Sequence, residues 1–415
     1  MRKRWMRFGV TVLAFAIIAA ACGTEGDGAV EDAGGSSDTK VQASDMRSGL
    51  TGLLTEHVYL AALATGSALR GDDAAFNAYA TALNGEANSN TSELVDAITS
   101  VYGEETGNAF DGLWRSEGHI PAVVAYTQAI AADDTAGADK AVNDLLAYAT
   151  TFGETMSSVN ENLPAAAVEE GVKQHITTLK TVIDAQKATN PALVYSSLRT
   201  AYSHMSEFAA TLADATAKKF PDKVEGAATS QAAGLQAGLT SLLREHVLLA
   251  SSATGAALRG DTASFDAAAG TLNGPADSNT ASIVEAVGSI YGAEVQTAFD
   301  GLWRSEGHIP AFVAYTQAVA KDDATGAENA VNDLLAYAKT FGETMNSVNE
   351  NLPADAVTDA ITMHATTLKT VVDDQKAQDR TKEATDLRAA VHHMSDTAKV
   401  LADATVAKFP DKFSG

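Results

Sequence analysis

The run FDGLWRSEGHIPA occupies residues 110–122 and returns unchanged at 299–311. Working outward from it, residues 51–223 align with 240–412 at a constant offset of 189, without a gap and with 111 identities in 173 positions. Each copy is about 180 residues, enough for a domain with its own core. Two long copies mark a tandem duplication rather than a solenoid of short units. Repeat 1 is expected over 41–224 and repeat 2 over 230–415, with a weakly ordered junction between them.

Within a copy the apolar spacing is helical. Leu50, Leu53, Leu54, Val58 and Ala61 follow the i, i+3, i+4 rule. Breakers at Arg70-Gly71-Asp72, Asn84-Gly85, Tyr102-Gly103, Asp133-Asp134, Asn162-Leu163-Pro164 and Asn190-Pro191 divide the copy. They predict helices near 42–69, 73–101 with an interruption at 84–88, 104–131, 135–160, 165–187 and 191–218. No alternating strand pattern competes, so the fold class is all-α: two tandem antiparallel bundles of five to six helices. Asn90 and Asn279 read as helix N-caps, and Asp133-Asp134 and Asp322-Asp323 as caps of the following helix.

The N-terminus carries Arg2, Lys3, Arg4 and Arg7, then an apolar run over 8–21, then Cys22 after Ala19-Ala20-Ala21. That order describes a signal peptide over 1–21. The run is shorter than the roughly 20 residues a spanning helix needs. The small residues before Cys22 resemble a bacterial lipobox, with Ala19 where Leu is usual. The resemblance implies cleavage before Cys22 and diacylation (palmitate-type lipid) on it. Cys22 is the only cysteine, so lipidation also accounts for an odd thiol. Residues 22–40 are rich in Gly, Ser and acid and read as a flexible tether. Export, lipid anchoring and a place on the outer face of the cell membrane are the expectation, with the membrane as a partner through the lipid.

Formal charge is −24 and falls to −28 without the four leader cations. This opposes binding to nucleic acid.

Eight of the nine histidines form matched pairs: His57 and His246, His119 and His308, His175 and His364, His204 and His393. Only His392 is unmatched. Around the third pair GVKQHI has become AITMHA, so only the imidazole persists; around the fourth, residues 191–197 have all changed, yet His204-Met205-Ser206 matches His393-Met394-Ser395. Helical spacing turns His57, His175 and His204 inward. Gly118 and Pro121 bracket His119 and predict an interrupted or newly starting helix. Imidazoles converging in a bundle are a common way to hold a transition metal; the other reading is a set of core histidines, each bonded to a backbone carbonyl or a carboxylate.

Glu56, Glu207, Met205, Glu245, Asp396 and Met394 are candidate partners, with Glu117, Glu306, Tyr126 and Tyr315 nearby. Thioethers would suit copper; carboxylates would suit zinc, iron or manganese. Trp114 and Trp303 read as core anchors. No Glu-x-x-His pair, H-E-x-x-H, C-x-x-C-H, phosphate loop or Ser-His-Asp order is present. The reading is therefore a binding protein before an enzyme: a surface lipoprotein binding or buffering a metal in each repeat. A non-catalytic interaction module is the alternative. A redox enzyme would need an open coordination position and a substrate pocket, which the sequence does not display.

The string L-W-x-x-x-G-H-I-P-A-x-V-A-Y-T, with L-x-E-H-V-x-L before it and F-P-D-K after it, resembles a helical domain of uncharacterised exported proteins, mostly of Gram-positive bacteria. Some of those carry names invoking copper amine oxidase. That activity belongs to a β-rich fold with an Asn-Tyr-Asp/Glu cofactor site, which this sequence lacks. The resemblance implies export and a helical fold.

Overall fold

A computed structural model describes residues 40–116, 118–304 and 307–414. The leader, Cys22 and all of the tether but Lys40 lie outside the described residues, as do Glu117 and Glu306.

The chain is all-α. Repeat 1 supplies α1 (Ala43–Arg70), α2 (Asp73–Asn84), α3 (Asn90–Tyr102), α4 (Glu104–Asp111), α5 (His119–Ala131), α6 (Thr135–Val159), α7 (Ala165–Lys187) and α8 (Pro191–Lys219). Repeat 2 supplies α9 (Gln231–Leu258), α10 (Thr262–Asn273), α11 (Asn279–Tyr291), α12 (Ala293–Arg304), α13 (His308–Ala320), α14 (Ala324–Val348), α15 (Ala354–Ala377), α16 (Arg380–Lys408) and the short α17 (Pro410–Phe413). Each copy thus has more helices than its sequence predicts. The 73–101 stretch parts at 85–89, and the 104–131 stretch parts just before His119. In repeat 1 the second break begins as a π-helical turn over Gly112–Ser116; such turns recur at functional sites.

Local chemistry sets these ends. Ser89 caps α3 in a reciprocal capping box with Ser92, and Asp134 caps α6 by accepting from Gly137 N. Asn90 is not the cap. It is the first helical residue, fully buried, and its side chain reaches the Leu53 carbonyl at 2.8 Å. Pro121 is the third residue of α5, where its missing N–H costs nothing. It starts a helix rather than kinking one.

α1 is buried almost continuously from Leu54 to Ala62, including the polar Thr55, Glu56 and His57. A helix buried all round has neighbours all round. α1 packs against α2, α7 and α8 of its own repeat and against α9 of the other. The α1–α9 contacts advance together: Ser48 with Thr240, then Tyr59 with Ser252. The two helices therefore run parallel. α2 packs on α16 as α10 packs on α8, so the repeats meet reciprocally. One apolar core includes Leu54 and Val58 together with Val247 and Leu248. The two helical arrays share that core instead of standing as separate bundles.

The junction is more ordered than its composition suggests. β1 (Val41–Gln42) and β2 (Val224–Glu225) form a short parallel pair. Val224 and Ala228 are buried, and Arg47 donates to the Ala228 carbonyl at 2.9 Å. No helix among the described residues is long and apolar enough to cross a membrane.

Candidate metal centre

Three helices of repeat 1 bring His57 (α1), His119 (first residue of α5) and His175 (α7) together, each with one ring nitrogen within 4.8 Å of the others. Their ring centroids lie 5.2, 5.7 and 5.9 Å apart. Repeat 2 repeats the triad with His246, His308 and His364, at 5.2, 5.6 and 6.0 Å. There, His308 Nε2 and His246 Nε2 face each other at 3.3 Å. All six imidazoles are buried. Such a group could hold a metal ion.

Burial dominates their protonation. It pushes His119 and His308 down to about 4 and His175 and His364 down to about 3, while His57 and His246 fall well below the ordinary imidazole value. Neighbouring imidazoles push His57, His175, His246 and His364 further down, since two protonated rings cannot share a dry space. The triads are therefore neutral near pH 7, the state that can donate a lone pair to a metal.

The aromatic surroundings match as well. Trp114 lies 4.8 Å from His119 and 5.0 Å from His57, ring to ring, and Tyr148 stacks on His119 at 5.2 Å. Trp303 and Tyr337 take these places in repeat 2. The tryptophans anchor the core, as expected, and also wall the triads. Several buried polar atoms in the two sites lack a hydrogen-bond partner: the Nδ1 atoms of His57, His175 and His364, and Trp114 Nε1.

The fourth matched histidine does not join. His204 Nε2 is 2.8 Å from the Gly171 carbonyl, and His393 Nε2 is 2.9 Å from the Ala360 carbonyl. Each ties the last long helix of its repeat to the helix before it. That bond explains why the histidine persists while its neighbours change. Glu207 and Asp396 are exposed, away from the buried triads. Met205 and Met394 are buried core residues, and Met394 shares a small cavity with His308 and His364. Tyr126 and Tyr315 hydrogen-bond Asp184 and Asp373, each at 2.5 Å.

Glu56 and Glu245, though adjacent in sequence to triad histidines, point across to the other repeat. Glu56 accepts from Arg388 Nε at 3.1 Å and Asn90 Nδ2 at 3.0 Å, and lies 3.4 Å from Arg244 Nη2 and 3.3 Å from His392 Nε2. Glu245 accepts from Arg199 Nε at 3.1 Å and Asn279 Nδ2 at 2.8 Å. Arg199 and Arg388 are equivalent positions, so the exchange is reciprocal. Burial alone would raise both carboxyls. It does raise Glu245, whereas His392, Arg244 and Arg388 outweigh it at Glu56 and lower that group. Glu93 completes the Glu56 cluster, 2.9 Å from Arg388 Nη2 and 3.6 Å from His392. Two guanidinium groups already neutralise these carboxylates, which makes the cluster an ion network and not a cation site. Sequence spacing did not reveal it, because Arg244 and Arg388 reach Glu56 only through the packing of the repeats.

Compared with protein-family profiles, curated proteins and solved structures, the chain matches none.

Proposed function

We propose that this protein is an exported, lipid-anchored binder of transition-metal ions, one per repeat. His57, His119 and His175 hold the first ion; His246, His308 and His364 hold the second. The observation that carries this reading is the contrast within each repeat. His204 and His393 bond to carbonyls, as histidines with a structural role do. In the triads, neutral imidazoles face one another and leave ring nitrogens unpartnered, at a cost that a bound metal ion would offset. The donor set is all nitrogen. Imidazole sites follow the general affinity order of divalent metals, so copper and zinc come before iron. Binding or buffering accounts for the site without invoking catalysis. Anchoring rests on the lipobox-like Cys22.

The test uses the mature chain and excess copper or zinc, removed by gel filtration before metal analysis. Two ions per chain are expected, and one after His57→Ala with His175→Ala. Trp114 and Trp303 sit beside the triads, so copper should quench most of the tryptophan fluorescence of the mature chain. Less than half an ion per chain in every preparation would sink the proposal.

A further inference from the structure

The two triads are not finished alike. In repeat 1 a cavity of about 490 Å³ lies between α1, α2 and α5 and is bordered by His57 and His119. That volume suits a small-molecule pocket. On α1 its wall is His57, Ala61, Ala64, Thr65 and Ala68, and the three alanines are too small to fill it. Val123 stands on the α5 wall, with Ile120, Val124 and Thr127 among its neighbours there. Asn84 also lines the cavity, and its Oδ1 is buried without a hydrogen-bond partner.

Repeat 2 differs at two of these places. Phe312 stands where repeat 1 has Val123; it is buried, with its ring 6.5 Å from His364. Asn273 stands where repeat 1 has Asn84, and its Oδ1 accepts from Arg304 at 3.1 Å. One copy leaves about 490 Å³ and a free acceptor beside its triad; the other turns Phe312 and Arg304 onto these two positions and keeps a cavity of about 110 Å³ on another side, beside His308 and His364.

We infer that the repeat 1 centre is an open metal site, whose ion takes an additional ligand from this cavity, while the repeat 2 centre is closed on the equivalent side. This rests on the metal reading above. Three protein ligands with an accessible further position distinguish reactive metal sites from structural ones. The lining also names the ligand class. It is mostly apolar, it contributes no cation, and its one carboxylate, Asp73, is exposed. A small neutral molecule fits, with a lone pair for the metal and one N–H or O–H for Asn84 Oδ1. An anion would find no cationic side chain there, only neutral donors such as Asn77 and Gln128.

Imidazole has both features and serves as the probe, with azide as the anionic comparison. The protein carries His246→Ala and His308→Ala, so that cobalt(II) loads repeat 1 alone. Imidazole should change the visible cobalt spectrum saturably, and at lower concentration than azide. Val123→Phe, which installs the residue repeat 2 already accommodates, should keep one cobalt per chain and weaken the imidazole response at least tenfold. Ala68→Phe, near the end of α1, should do the same by a separate route. In the converse protein, lacking the repeat 1 triad, Phe312→Val should create an imidazole response. One bound cobalt with no imidazole effect, or an effect that both plugging variants leave intact, overturns the open site. Tighter binding of azide overturns the neutral ligand class. Failure to bind cobalt at all overturns the metal reading, and the open site with it.

Discussion

His57 and Glu56 are adjacent residues of one helix, both about 1% exposed, and they live in opposite circumstances. Glu56 meets two guanidinium groups, an amide and an imidazole. His57 meets other neutral imidazoles and an indole, and its Nδ1 has no partner. A side chain whose hydrogen-bonding capacity is fully used supports the fold; one whose capacity is left over is available to a ligand. The difference separates a structural polar cluster from a candidate site at the same depth in the same core.

The contrast breaks most sharply at Glu56. Glu56→Ala strands Arg244 in a buried position and leaves Arg388 with Glu93 alone as its carboxylate, and should cost about 3–5 kcal/mol, read as a lowered urea midpoint. Metal stoichiometry should survive in whatever fraction remains folded.

Acid acts on the opposite side. The triad imidazoles have folded-state values below their unfolded ones, so below about pH 6.5 the unfolded chain binds more protons. Stability should fall as pH drops from there toward 4, where His119 and His308 titrate. The loss is on the order of 2 kcal/mol per buried imidazole at pH 5. Thermal melts across this range should show it, and bound metal should oppose it. A flat profile between pH 7 and 5 would remove the case for neutral, dry triads.

Two histidine substitutions sharpen the comparison. His204→Ala loses a carbonyl bond and should cost about 1–2 kcal/mol with no change in metal content. His175→Leu removes an imidazole with an unpartnered nitrogen, and should leave apo stability within about 1 kcal/mol while abolishing the repeat 1 ion. The reverse pattern would exchange the roles of the two residues. The smallest effect belongs to His392→Ser, which gives repeat 2 the residue found at Ser203. His392 is partly exposed, so the loss should be within about 1 kcal/mol, measured by the same urea titration.

The helices were legible because α1, α6, α7 and α8 carry their apolar spacing and punctuation locally. The triads were legible because duplication supplies an internal comparison that kept His57, His119 and His175. The same comparison kept His204, for it registers that a side chain matters and not what it touches. Glu56 looked like a metal partner because it adjoins His57 in sequence. Successive helical residues point about 100° apart, and what fills the second direction is α16, more than 300 residues away. The cavity turned on Val123 against Phe312, a substitution indistinguishable from ordinary core drift until its neighbours are known.

The reciprocal seam between the copies has a consequence for what such a molecule can become. In a homodimer every interfacial residue occurs twice, so a change good for one side is imposed on the other. A single covalent chain lifts that constraint. Thr55 and Arg244 are equivalent positions, yet only one is an arginine, and it reaches across the seam to Glu56. Joining the halves also makes their encounter independent of the protein's concentration. Fusion thus gives a pair of sites that stays paired at any dilution, with each half free to specialise.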